Sequence, residues 1–74
     1  MTEQEIHDIC KKYKIKNYTI NLDGTIDVEG NVNLSNRELD KLPLKFNRVS
    51  RIFSCSRNFL TTLENSPIEV GSFN

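Results

Sequence analysis

The stretch "FSCSRNFLTTLENSPIEVGSF", residues 53–73, repeats the pattern of the stretch before it, "VNLSNRELDKLPLKFNRVSRI", residues 32–52. Seven positions align at a separation of 21 residues, and six of them are apolar in both stretches. The aligned pairs are Val32/Phe53, Leu34/Cys55, Ser35/Ser56, Leu39/Leu60, Leu42/Leu63, Val49/Val70 and Ile52/Phe73. Similarity at a fixed period predicts two copies of one structural unit that stack and share a core.

The apolar spacing within each unit is typical of a leucine-rich repeat, as is a period in the range of roughly 20–29 residues. Two residues of each unit are expected to point inward from a short strand, and two leucines from the turn that follows. These residues are Val32, Leu34, Leu39 and Leu42 in the first unit, and Phe53, Cys55, Leu60 and Leu63 in the second. Asn58 stands at the asparagine position of the repeat, where its amide can bond backbone groups at the bend. The first unit departs from the pattern, because it has Arg37 at that position.

Residues 1–16 predict a short amphipathic helix that caps the repeats. Thr2 and Glu5 form the S/T-x-x-E pattern of a capping box, which marks the start of a helix. One apolar stripe runs along the segment at helical spacing and consists of Ile6, Ile9, Cys10 and Tyr13. A helix of this length is marginal in water, so we expect the stripe to dock on the rest of the chain.

Residues 17–31 predict a β-hairpin. Apolar residues alternate with polar ones on both sides of Asp23-Gly24, at Tyr18, Ile20 and Leu22 and then at Ile26 and Val28. An Asp-Gly pair between two such runs favours a tight primed turn, because glycine adopts positive φ without steric cost. The whole chain, residues 1–74, is then one domain, with residues 32–74 forming the coils.

The sequence from residue 18 to residue 74 resembles the leucine-rich-repeat-like proteins of tailed bacteriophages. Their tandem units are similar to "FxCSxNxLTxLExxPxxVGxF", and residues 53–73 match one whole unit in order. The resemblance implies an α+β fold, with an N-terminal helix and a β-hairpin capping about two leucine-rich-repeat-like coils of 21 residues. It also implies a short or truncated member of the family and a role in binding other macromolecules, since members generally lack an assigned activity.

No catalytic constellation is evident, so we expect the protein not to be an enzyme. The sequence has no GxSxG motif, no glycine-rich phosphate loop and a single histidine, His7. Cys10 and Cys55 form no CxxC pair and each stands at an apolar position, so we expect them to pack as small hydrophobic residues. A disulfide between them is the alternative. We expect no cofactor and no metal site.

Charge is distributed in blocks, although ten basic and ten acidic residues balance. Residues 41–63 contain five basic residues and no acidic one. One hypothesis is that a basic face binds nucleic acid, a ribonucleoprotein or an acidic protein, and it would comprise Lys11, Lys12, Lys14, Lys16, Arg48 and Arg57, with Arg51 as a further member. The alternative is that the lysines simply solvate the end of the helix.

The leading functional hypothesis is a non-catalytic module that binds and modulates a host or phage protein. The outward side of the repeat strands would carry the contact, through Asn33, Arg51 and Ser54, and Phe73 would add an apolar residue. Two coils are fewer than the three or so that normally close a core, so a homodimer through the C-terminal end is a further alternative. On that basis Phe73 is predicted to be buried, either by the protein itself or by a second copy.

The N-terminal residues predict no targeting segment, because "MTEQEIHDIC" is acidic where a signal peptide would be basic and then apolar. No apolar run approaches the length of a membrane span, so no membrane partner is expected. Together with the family resemblance, these features predict a protein of the cytoplasm of the infected bacterial host.

Overall fold

The computed structural model describes residues 2–74, which form one helix and a curled five-stranded sheet. The elements are helix α1 (Glu3–Lys12) and strands β1 (Tyr18–Ile20), β2 (Ile26–Val28), β3 (Val32–Asn33), β4 (Phe46–Ser54) and β5 (Glu69–Phe73). Strand β4 is the centre of the sheet and pairs with β2, β3 and β5, while β1 extends the sheet beyond β2. The protein therefore has the α+β class expected from its sequence.

Helix α1 begins as predicted and ends earlier than predicted. The Thr2 hydroxyl accepts a hydrogen bond from the Glu5 backbone N–H, and the Glu5 carboxylate accepts one from the Thr2 N–H, which completes the capping box. The helix stops at Lys12 rather than residue 16, because Tyr13 is the C-cap and Lys14 adopts a left-handed φ of 59°. Ile6 and Cys10 are buried in the core, as the stripe predicted.

The hairpin forms between β1 and β2, but its loop differs from the predicted primed turn. The strands pair antiparallel, with Tyr18 opposite Val28 and Ile20 opposite Ile26. The Asn21 C=O accepts from the Gly24 N–H, and the Asn21 N–H donates to Thr25, so three residues form the loop. Only Gly24 has positive φ, which is typical of a type I turn closed by a bulge. Leu22 thus leaves the strand alternation and is fully exposed.

Three chain segments run parallel, and most of the residues that lie opposite each other in neighbouring segments are 21 positions apart in the sequence. Val28 pairs with Val49, and Val49 pairs in turn with Val70. Strand β3 continues the same edge of β4, where Val32 lies opposite Phe53. The segments β2–β3, β4 and β5 are therefore stacked side by side at the spacing found in the sequence.

The core lies beneath this sheet and is covered at its N-terminal end by α1. Its buried members are Ile6, Cys10, Ile15, Ile26, Val28, Val32, Leu34, Leu42, Leu44, Phe46, Val49, Phe53 and Cys55. The four residues predicted to point inward from the two repeat strands are all in this group. Leu44 and Phe46 also belong to it, although the repeat pattern did not assign them to the core.

The turn leucines are less uniformly buried than predicted. Leu42 is buried, Leu39 and Leu60 pack partly against the core, and Leu63 has 53% of its surface exposed. The prediction for Leu63 is therefore wrong, because no side chain among residues 2–74 covers it.

The pairing of β5 corrects the alignment of Ile52 with Phe73. A register shift lies between Val49 and Ile52, so that Phe73 pairs with Phe53, and Ile52 pairs with Ser72. Gly71 passes beside this irregularity, where a Cβ atom would lie only 2.6 Å from the Arg51 carbonyl oxygen. The position therefore excludes a larger side chain unless the backbone moves.

Candidate functional site

Three of the four predicted partner-binding residues lie on one surface of the sheet. Two adjoining shallow grooves, of about 290 and 260 Å³, meet at Asn31 and Ile52. Arg51 lines the first groove, and Asn33 and Ser54 line the second. We call this surface the strand face, and it comprises Asn31, Asn33, Arg51, Ile52, Ser54 and Ser72.

The polar side chains of the strand face are held in place by the backbone. The Asn31 carboxamide oxygen accepts a hydrogen bond from the Ile52 N–H at 3.0 Å, so the side chain ties the residue before β3 to β4. The Asn33 carboxamide oxygen accepts from both the N–H and the hydroxyl of Ser35, at 3.1 and 2.6 Å. Both amide groups keep their Nδ2 donors for another molecule, and their positions are fixed before binding.

Ile52 lies on the strand face, although the sequence pattern aligned it with residues that point inward. The residue aligned with the inward-pointing set, yet 45% of its surface is exposed. Because β4 carries an irregularity between Val49 and Ile52, the alternation of side chains changes there. The irregularity has no recognisable residue pattern in the sequence of β4. The sequence alone therefore could not have predicted that Ile52 is exposed.

Phe73 does not join the strand face. Its ring lies 5.3 Å from that of Phe53, centroid to centroid, and covers one side of this core residue. The ring remains 44% exposed, so the prediction that the protein itself buries Phe73 is wrong. Other large apolar residues of the same unit are also exposed, namely Phe59, Leu63 and Ile68.

Among the residues of the predicted basic face, Arg48 already forms ion pairs with acidic side chains of the same chain. Its guanidinium donates to Glu29 at 2.8 Å and lies 3.6 Å from Glu69. Glu29, Arg48 and Glu69 thus form a charge ladder across three neighbouring segments. A ladder of this kind neutralises the arginine and aligns the strands, and it weakens the case for a polyanion at this position.

The other basic residues are exposed at the end of the helix and in the loops. Lys11, Lys12, Lys14, Lys16 and Arg57 make no ion pair within residues 2–74. Lys12 and Arg37 lie over the Tyr13 ring, at 5.4 and 5.8 Å from its centroid. Cations above an aromatic face are a common surface arrangement that stabilises the helix end.

The two cysteines are free and buried. Burial raises the pKa of both thiols, and at Cys10 a hydrogen bond with the Tyr18 hydroxyl opposes this effect. A thiol with a raised pKa is a poor nucleophile, since the thiolate is the reactive species. The cysteines therefore pack as small hydrophobic residues, as expected, and the disulfide alternative is wrong.

Asn58 bonds backbone groups at the bend after β4, as the sequence predicted. Its carboxamide oxygen accepts from the Arg37 and Leu39 N–H groups, at 2.8 and 3.1 Å. Its Nδ2 donates to the carbonyl oxygens of Leu34 and Cys55, at 2.7 and 2.9 Å. One side chain thereby links the backbone of residues 34–39 to the backbone that follows β4.

Two carboxylates have a lowered pKa, and both owe it to local hydrogen bonds. The Thr25 hydroxyl and N–H donate to Asp23 and lower the pKa of this carboxyl group. The Thr2 backbone and side chain lower the pKa of Glu5 in the same way. Both groups serve a turn or a cap, so these shifts mark structural roles.

Within the described part of the chain, no helix is long and apolar enough to cross a membrane. No group of three or more metal-ligating side chains converges among residues 2–74. No protein-family model, no curated protein and no solved structure matches the sequence or the fold of this chain.

Proposed function

We propose that the protein is a non-catalytic binding module that recognises another protein, from the host or the phage, through its strand face. The observation that carries this proposal is the composition of that surface. Fixed amide groups surround the exposed side chain of Ile52, and Arg51 is the one titratable residue among those that line the two grooves. Such a mixture of polar donors and an apolar centre suits a polypeptide ligand.

The strand face belongs to what we propose are two leucine-rich-repeat-like coils, as in the phage proteins that the sequence resembles. The proposal is supported by the 21-residue register of the parallel strands. It is also supported by the backbone at the bend, where the aligned residues Asn36 and Arg57 have φ values of 54° and 57°. Solenoid proteins use the outer surface of their strands for binding, which is the surface proposed here.

Binding is tested by affinity capture from a bacterial lysate, with the strand-face variant Arg51→Glu beside the wild type. We expect a stoichiometric protein partner with the wild type, and a loss of at least tenfold in the amount captured with the variant, because a reversed charge at the centre of an interface costs several kcal/mol.

The matched control is Arg57→Glu, which reverses the same charge at an exposed position outside the strand face. It is expected to capture the partner as well as the wild type does. Recovery of no stoichiometric partner would contradict the proposal, and so would equal loss in both variants. Captured nucleic acid in place of protein would favour the basic-face hypothesis.

A further inference from the structure

The outward side chains of β2 continue the strand face toward the hairpin. Val28 and Val32 are buried in the core. Because side chains alternate along an extended chain, Asp27, Glu29 and Asn31 all lie on the outward side of the sheet. Asn31 belongs to the strand face, so Asp27 and Glu29 extend the same outward surface.

Two residues of the neighbouring strands complete this extension. Arg48 lies opposite Asp27, and Glu69 lies opposite Arg48. The Arg48 guanidinium donates to the Glu29 carboxylate at 2.8 Å and lies 3.6 Å from that of Glu69, so these side chains share the outward side. We call Asp27, Glu29, Arg48 and Glu69 the charged end of the outward surface.

The charged end carries an excess of negative charge. It contains three carboxylates and one guanidinium, and Arg48 is the one cation that forms an ion pair with them within residues 2–74. The adjoining hairpin loop adds one charge of each sign, Asp23 and Lys45, so it leaves the excess unchanged. The side chains of Glu29 and Glu69 are 67% and 75% exposed, so the excess charge is accessible to another molecule.

The carboxylates of the charged end keep acceptors for a second cation. Arg48 contacts Oε1 of Glu29 and Oε2 of Glu69, whereas an ionised carboxylate can accept about four hydrogen bonds. The Asp27 carboxylate is held in position by the amide groups of Asn21 and Asn47, at 3.2 and 2.8 Å. A lysine or arginine of a bound molecule therefore meets acceptors whose surroundings are fixed before it binds.

The strand face has the opposite character. The Asn31 and Asn33 side chains present donors, and Arg51 adds a positive charge that makes no ion pair within residues 2–74. The outward surface is thus negative at one end and rich in donors at the other. A nucleic acid has a negative backbone throughout and matches only one end, whereas a polypeptide can match both.

We propose that the polypeptide bound at the strand face carries a lysine or arginine whose cation binds between Glu29 and Glu69. This inference rests on the proposed function and specifies the chemistry of the partner. Arg48 and Ile52 are four residues apart in β4. An extended ligand that lies along β4 has nearly the same rise per residue, so its basic residue stands about four positions from the apolar residue that packs on Ile52.

Selection from a displayed library of random decapeptides tests this chemistry. Peptides that bind the wild type and lose binding to Ile52→Ser identify ligands of the strand face, because this variant removes the apolar centre without changing any charge. We expect most of these peptides to contain lysine or arginine about four positions from an aliphatic or aromatic residue. Aspartate and glutamate should be depleted at the same position.

A second measurement shows whether the charged end recognises that basic residue. With the double variant Glu29→Gln/Glu69→Gln, the dissociation constant of a selected peptide should rise at least about threefold, because two exposed charge contacts are lost. Replacing the basic residue of the peptide with alanine should weaken binding to the wild type by a similar factor. The same replacement should cause no further loss with the double variant, since the contact is already absent.

The matched control is Glu38→Gln/Glu64→Gln, which removes two exposed charges outside the sheet and should leave the dissociation constant unchanged. Circular dichroism of each variant checks that the fold is retained. Selected peptides without a preference for basic residues would overturn this inference and leave the proposed function standing, as would equal affinities of the double variant and its control. If no selected peptide lost binding to Ile52→Ser, the proposed function itself would be contradicted, and this inference would fall with it.

Discussion

Replacing Phe53 with alanine is expected to lower the free energy of unfolding by about 3–5 kcal/mol, which is the usual cost of removing a buried aromatic side chain. Phe53 has no exposed surface, and its ring packs edge-on against Phe46 at 5.0 Å and beside Phe73 at 5.3 Å. A domain of this size has a total stability of only about 5 kcal/mol or somewhat more, so the variant should be largely unfolded at physiological temperature.

The matched control for this prediction is Phe59→Ala in the same unit. The ring of Phe59 is 68% exposed, so the same substitution should change the stability by no more than about 0.5 kcal/mol. Equilibrium denaturation by urea measures both values. If the two variants lost similar stability, Phe53 would not be the centre of the core.

Replacing Asn58 with alanine is expected to cost about 2–3 kcal/mol, the second largest effect, since the side chain bonds four backbone groups at the bend, and three of these bonds are partly buried. Water can reach some of these groups, which limits the loss. The control is Thr61→Ala on the neighbouring exposed loop, and urea denaturation should find it close to the wild type.

Asn58→Asp separates the contribution of the hydrogen bonds that Asn58 accepts from the contribution of those that it donates. The introduced carboxylate still accepts from the Arg37 and Leu39 N–H groups, but its second oxygen faces the carbonyl oxygens of Leu34 and Cys55. We expect urea denaturation at neutral pH to find Asn58→Asp less stable than the wild type, because the two carbonyl oxygens lose their donor and face a negative charge. A stability equal to that of the wild type would show that the Nδ2 bonds contribute little.

Local patterns in the sequence were sufficient to predict the structure wherever it depends on residues that are close together in the sequence or stand at a fixed spacing. The Thr2–Glu5 capping box and the bond network of Asn58 both follow from residue type at a fixed spacing. The inward positions Val32, Leu34, Phe53 and Cys55 follow from the alternation of side chains in a strand.

The sequence-based predictions are wrong where the structure depends on an irregularity in a strand or loop, or on whether other residues cover a side chain. The irregularity in β4 shifts the partner of Phe73 by one residue, and it exposes Ile52 on the strand face. The hairpin takes a three-residue loop because Asn21 bonds Gly24 and Thr25, which removes Leu22 from the strand. Leu63 and Phe73 occupy inward positions of the pattern, but nothing within residues 2–74 packs beyond them.

The candidate binding surface was only partly accessible to sequence reasoning. Asn33, Arg51 and Ser54 could be assigned to the strand face from register alone. The bridging role of Asn31 and the exposure of Ile52 required the three-dimensional pairing of β3, β4 and β5. Similarly, the ion pairs of Arg48 with Glu29 and Glu69 join residues that lie 19 and 21 positions apart and carry no local signal.

The strand face depends on the stacking of three successive segments as parallel strands, and nuclear Overhauser contacts between backbone protons test this stacking most directly. We predict contacts between Asn33 and Ser54 across β3 and β4, and between Phe53 and Asn74 across β4 and β5. Contacts in antiparallel order, or the absence of any contact between residues 69–74 and β4, would contradict the structure on which the proposed function rests.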